Sequence, residues 1–353
     1  MKKNSIYALI SISLLITVLS CACICTQCLP DDLDPNGDTL TATRLQESTT
    51  TNTATVQEST STTLGEITDF KTDSTTINFN VLYDFYVPGN TDKIEFVATI
   101  PNSYPLRQEI IDYNFSIEPD FIFDSEGNKY IKFIIENPQE DFSINESIEM
   151  VLYGYDLGTA KILDSKDHSL SREDYLKYTS SDNFIDSSNS SIKEAASMFA
   201  NDDMELLVND IYNFVLEKVQ YSGYDPGNAC ASDILASGGG DCTGYSDLFA
   251  ALCRAKNIPS RTVEGFTIDA NPGDLSTGHN WSEVFFEDYG WVPFDATFDD
   301  NNGDSPNTTF DNLKNVYVYT SFLKNDETLL NYHYYCYIYY GDSIQVQKTV
   351  SIN

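Results

Sequence analysis

The period of the apolar pattern changes once along this chain, and that change restricts the fold more than any single motif. Between about residues 70 and 163, apolar and polar residues alternate in short runs separated by turn formers. Ile77-Asn78-Phe79-Asn80-Val81 and Lys93-Ile94-Glu95-Phe96-Val97 read as half-buried strands, as do residues 130–134 and 148–152. Pro88-Gly89-Asn90 and Glu126-Gly127-Asn128 read as turns. Further on, Met204, Leu207, Val208, Ile211, Val215 and Val219 stand at helical spacing, with Asp202 and Asp203 available as caps. The predicted class is therefore α+β. An antiparallel β-sandwich-like domain spans 67–165, a polar, hydroxyl-rich connection spans 166–190, and helices packed on an antiparallel sheet occupy 191–353. The aromatic-rich tail from residue 317 to 352 is expected to complete or cap that last sheet.

The chain begins differently. Lys2 and Lys3 precede an apolar run over residues 6–19, too short for a comfortable bilayer span and of the form of a secretion signal. Val18-Leu19-Ser20-Cys21 resembles a lipoprotein signal, in which Cys21 would be lipidated, although Cys23, Cys25 and Cys28 crowd the same place. Residues 1–28 are read as this export segment and residues 29–66 as a Ser/Thr-rich linker unable to bury a core. The expected location is extracytoplasmic, at the cell surface or secreted, with the membrane reached only through the N-terminal anchor. A net charge of −34 opposes nucleic acid and anionic headgroups alike, because phosphate contacts need clustered Lys and Arg. Asn114, Asn145, Asn189 and Asn307 begin glycosylation sequons, a pattern too short to decide anything.

Chemistry concentrates after the glycine break Gly238-Gly239-Gly240-Asp241. Asp241 is a good helix cap, which sets Cys242 in the first turn of a helix running to about residue 256. There the unpaired N–H groups and the helix dipole favour a thiolate, which can attack a carbonyl. Cys253, by contrast, reads as a small core residue. Of three histidines (His168, His279 and His333), His279 opens a predicted strand after a loop. A hairpin turn at Glu287-Asp288-Tyr289-Gly290 then pairs this strand with residues 291–295, so Asp295 can hold the imidazole.

Four blocks together carry a resemblance: Gly240-Asp241-Cys242-Thr243-Gly244-Tyr245, Ile258-Pro259-Ser260-Arg261, His279-Asn280-Trp281-Ser282-Glu283-Val284 and Gly290-Trp291-Val292-Pro293-Phe294-Asp295-Ala296-Thr297. In order and spacing they resemble the transglutaminase-like superfamily over roughly 192–297, and the strand-rich region before them resembles the β-domain of exported members. The resemblance implies a papain-like core with Cys242 as nucleophile, His279 as general base and acid, and Asp295 as its orienter. Arg261 matches a structural arginine. Asn280, Ala296 and Gly244 depart from the common pattern, and all three triad positions are kept. Tyr221 is a candidate for stabilising an oxyanion.

The function expected is a cysteine hydrolase acting on amide or peptide bonds of a protein or peptide, with no cofactor and no metal. Transfer of the acyl group to an amine, or a silent binding module, are the alternatives. The acidic run 299–304 lacks the order of a calcium loop. Cys230, Cys242, Cys253 and Cys336 lack metal-site spacing, and Cys230 with Cys253 is a candidate disulfide.

Overall fold

The computed structural model describes residues 74–87, 89–157, 168–224, 229–268, 278–301, 312–313, 317–322, 329 and 333–352. The export segment, Cys21, the linker and Asn307 therefore lie outside the described residues.

Alternation builds the first domain. In β1 (Ser74–Tyr86), Ile77, Phe79, Val81, Tyr83 and Phe85 are buried at every second position, and Ile144, Ile148, Met150 and Leu152 repeat this in β6 (Phe142–Tyr153). Between them run β2 (Thr91–Ile100), β3 (Gln108–Phe115), β4 (Phe121–Ser125) and β5 (Asn128–Glu136). All four strands expected from the sequence are present. Glu126 and Gly127 have φ of 55° and 86°, the left-handed pair that a tight β4–β5 hairpin demands.

The tail behaves differently from its expectation. Only β14 (Tyr317–Ser321) joins the second domain's sheet. The last two strands, β15 (Tyr335–Gly341) and β16 (Gln345–Ile352), pair with β2 and β1, giving sheets ordered β16-β1-β6-β3 and β15-β2-β5-β4. Assigning residues 335–352 to the catalytic region was thus incorrect. Alternation announces a strand, but its partner is set by which sheet edges the fold leaves open, and here β1 and β2 were open. The connection 166–190 also holds more structure than its polarity suggested. It contains helix α1 (Arg172–Thr179), capped by Ser171, and helix α2 (Ser190–Ala196) starts at its end.

Helix α3 (Met204–Lys218) buries Val208, Ile211, Tyr212 and Val215 along the expected stripe, and Asp203 caps it by accepting from the Leu206 N–H. After α4 (Ala231–Ser237), the glycine break leads into α5 (Cys242–Ala255), which is buried from Gly244 to Arg254 and occupies the centre of the domain. It packs on β10 (Ser260–Thr267) and β11 (His279–Phe286), within a sheet ordered β12-β11-β10-β14, where β12 is Gly290–Phe294. The short helix α6 (Ala296–Asn301) follows β12, and the two-residue strands β7 (Tyr155–Asp156) and β13 (Asn312–Leu313) pair with each other.

The two domains interlock. Phe266 and Val318 from the second sheet enter the sandwich core. Buried Gln108 brackets Tyr319, its amide donating to the Tyr319 carbonyl at 2.9 Å and its Oε1 accepting from the Tyr319 N–H at 2.7 Å. Glu283, fully buried, accepts from Arg261 at 2.6 and 3.0 Å and lies 3.8 Å from Arg107, a charge network buried where the domains meet. The Arg261 guanidinium also stacks between Trp291 and Phe322 at 3.9 and 4.1 Å. These are packing contacts, in line with the structural role that the resemblance implied for this arginine.

Candidate active site

Cys242 is placed by the cap that precedes it. Asp241 Oδ1 accepts from the N–H groups of Thr243 and Gly244 at 3.0 and 3.1 Å, so the helix starts with the cysteine in its first turn and partly exposed. Gly244 is required by packing rather than by backbone angle, because a Cβ there would approach Ile234 to 2.9 Å. Small polar side chains then fasten the helix to the sheet. Asn280 donates to Thr243 Oγ1 at 2.9 Å, Ser282 to the Ser246 carbonyl at 3.1 Å, and Thr262 to Asp247 at 2.8 Å. Asn280, a departure from the common pattern, thereby ties the residue after His279 to the residue after Cys242.

His279, the first residue of β11, faces the helix N-terminus. Its Nε2 lies 2.7 Å from Asp295 Oδ2. Cys242 lies near enough to the ring to influence its titration. Burial pulls the imidazole pKa down, but the Asp295 charge and hydrogen bond and the neighbouring Cys242 outweigh it and lift the pKa to about 10. Asp295 is buried, which by itself favours its neutral form. Three donors reverse that effect: the His279 ring, the Tyr317 hydroxyl at 2.7 Å and the Phe298 N–H at 3.0 Å hold its pKa below the ordinary carboxylate value. Tyr317 was missed by sequence reasoning, because one tyrosine among 23 carries no signal until β14 is known to pair with β10 beside the histidine. Trp281, with no exposed surface, lies under the imidazole with ring centroids 5.9 Å apart.

Tyr221 lies in β8 (Gln220–Tyr221), which pairs in parallel with β9 (Gly239–Gly240) immediately before the cysteine helix. Its hydroxyl pKa is raised by partial burial and by the nearby Cys242 and Asp241. A cavity of about 190 Å³ opens at the start of α5, lined by Ser222, Asp233, Gly240, Asp241 and Thr243 among others, and Cys242 is not part of its lining. The remaining candidates stand apart. Cys230 and Cys253 form no disulfide, and Cys253 is buried in the core. Within the acidic run, Asp299 and Asp300 accept from the hydroxyls of Tyr212 and Tyr245 at 2.7 and 2.6 Å, a structural use. Residues 302–304 lie outside the described residues. His333 pairs with Glu264.

Residues 192–296 match the core of the Transglutaminase-like superfamily. No curated protein is similar to the chain in sequence. Among solved structures, a candidate cysteine protease from Cytophaga hutchinsonii superposes with a TM-score of 0.52 at 17% identity, over 79% of this chain and 99% of that one. The periplasmic domain of TgpA from Pseudomonas aeruginosa gives a TM-score of 0.35 at 12% identity, over 63% and 90% of the two chains. Residues 192–296 thus match a transglutaminase-like core, which covers less than half of the chain.

Proposed function

We propose that this chain is an exported cysteine hydrolase that cleaves amide or peptide bonds of a protein or peptide substrate. One observation carries the reading: the imidazole lies 2.7 Å from a carboxylate whose pKa three donors lower, and a cysteine at the start of a helix lies near enough to influence the ring. In the first half-reaction the Cys242 sulfur bonds to the carbonyl carbon, and the carbonyl electron pair moves to oxygen. The Cys242 N–H and the Tyr221 hydroxyl are the donors suited to that oxyanion. Protonated His279 gives its proton to the leaving nitrogen, the C–N bond breaks, and a thioester remains. Water then attacks the thioester while His279 takes its proton, and the C–S bond breaks to regenerate the thiolate and the imidazolium. Asp295 orients the ring and stabilises its charge throughout.

The signal-like segment with Lys2, Lys3 and Cys21 supports export and a membrane attachment confined to the N-terminus. Among the described residues no helix is long and apolar enough to cross a membrane.

The test is Cys242→Ala in the full chain, assayed for cleavage of a peptide mixture by mass spectrometry. Cleavage should vanish with the melting temperature unchanged within a few degrees, and a variant that cleaves at the parental rate overturns the reading. A labelled primary amine added to the parent assay reports the alternative, because its incorporation into the acyl fragment would show transfer replacing hydrolysis.

A further inference from the structure

Tyr334 enters the cleft from the other domain. It lies directly before β15, and its φ of 66° is left-handed backbone that a bulky residue rarely adopts. Thr99 of β2 holds it there, its N–H and hydroxyl donating to the Tyr334 carbonyl at 2.8 and 3.2 Å. From this anchor in the sandwich the ring packs against Phe266, with centroids 5.0 Å apart, and Lys348 Nζ lies 3.7 Å from its centroid. The hydroxyl donates to the Gly265 carbonyl at 3.0 Å. Gly265 and His279 face each other as the last pair of the β10–β11 ladder. One side chain therefore closes the frayed end of the ladder at the residue that bears the imidazole. The fit is tight, since a Cβ on Gly278 would stand 2.1 Å from the hydroxyl oxygen.

We propose that Tyr334 is a positioning residue for the general base: by holding the Gly265 carbonyl opposite His279 and packing tightly against Gly278, it fixes the backbone that carries the imidazole. The inference rests on Cys242 and His279 acting as nucleophile and base. It makes the sandwich part of the catalytic machinery, because strand β2 holds the tyrosine and the tyrosine holds the histidine. A small displacement of a catalytic group is costly, so a hydroxyl 3 Å from a strand end has leverage on the chemistry.

The experiment is Tyr334→Phe in the full chain, with alkylation of Cys242 by iodoacetamide followed by mass spectrometry from roughly pH 4 to 9, across the ordinary thiol range. Phenylalanine keeps the ring packing and removes the hydroxyl bond to Gly265. In the parent, alkylation should be fast across this range, because the raised pKa of His279, about 10, keeps its imidazole protonated throughout. In Tyr334→Phe the profile should move up by about one pH unit, seen as a roughly 10-fold slower reaction near pH 6. A residue of purely structural importance would lower the melting temperature and leave the profile of the folded protein in place. Profiles that superimpose overturn the proposal. A parent whose Cys242 reacts as an ordinary thiol sinks the cysteine-hydrolase reading, and this one with it, so the two failures are distinguishable. Should Tyr334→Phe not fold, Thr99→Val carries the test: a smaller shift in the same direction is expected, and an unmoved profile overturns the proposal.

Discussion

Asp295 in the cleft and Glu146 in the sandwich are both carboxyls removed from water, yet the fold keeps them in opposite states. Asp295 has three donors and its pKa is lowered. Glu146 has no exposed surface, neither of its oxygens has a hydrogen-bond partner among the described residues, and burial raises its pKa well above the ordinary value. Burial alone drives a carboxyl neutral, and only directed donors keep the charge. The cleft supplies those donors from three separate elements, β11, β14 and the start of α6, whereas the sandwich surrounds Glu146 with apolar side chains. Under the proposed mechanism a charge in the cleft has a use, since it orients and stabilises an imidazolium.

The sharpest way to break the comparison is Asp295→Ala. Hydrolysis should fall on the order of 10³- to 10⁴-fold, because the imidazole loses both its orientation and its counter-charge. Retention of most activity, measured against Cys242→Ala as zero, would mean that the donors hold a carboxylate with no catalytic role. The same pair sets a pH dependence. With its pKa raised to about 10 from an ordinary 6.5, His279 contributes stability fully present below pH 6.5 and lost as pH rises through 10. Asp295, with its pKa lowered from 3.8, contributes stability present above that value and lost as pH falls further. Melting temperatures should therefore decline on the alkaline side, and the decline should flatten in Asp295→Ala.

Glu283 extends the comparison to a third buried carboxyl, this one matched by Arg261 and Arg107. Glu283→Ala leaves two guanidinium groups without their counter-ion and should destabilise the protein by about 3–5 kcal/mol in urea unfolding. A change under about 1 kcal/mol would mean that the network is solvated in practice.

Glu146→Met should act in the opposite direction, stabilising by on the order of 1–3 kcal/mol at neutral pH by replacing an unsatisfied polar group with an apolar one of similar size. The sign follows from the raised pKa. Because burial raises the Glu146 pKa above its ordinary 4.5, the parent loses stability as pH rises above that value and the variant does not. A urea midpoint lower in Glu146→Met than in the parent at pH 7 would reverse this account. The smallest effect belongs to an exposed carboxyl. Asp203→Ala removes the cap of α3 at a cost of about 1 kcal/mol, read from the same midpoints, with activity unchanged.

Much of this was legible before any coordinates. Period-two runs marked β1, β2, β5 and β6, a helical stripe marked α3, and three glycines before Asp241 placed Cys242 at a helix start, because these are local patterns with local causes. Cys242, His279 and Asp295 were found because their types and spacing recur as blocks. Glu146 was hidden by its own strand: between Ile144 and Ile148 it occupies a core-facing position, which sequence reasoning expects to be apolar. Tyr317 and Tyr334 were hidden by abundance, in a chain with 23 tyrosines.

What the amino-acid order alone determined was the set of elements and the cysteine, histidine and aspartate they carry, since strand alternation, helix capping and short turns depend on neighbours in the chain. What only the tertiary structure decided was partnership: that β15 and β16 return to the sandwich, that Tyr317 completes the hold on Asp295, and that a tyrosine anchored on β2 closes the ladder at His279. Strand pairing joins residues hundreds of positions apart through backbone groups that every residue possesses. No side-chain pattern encodes that choice, and packing of the whole molecule makes it.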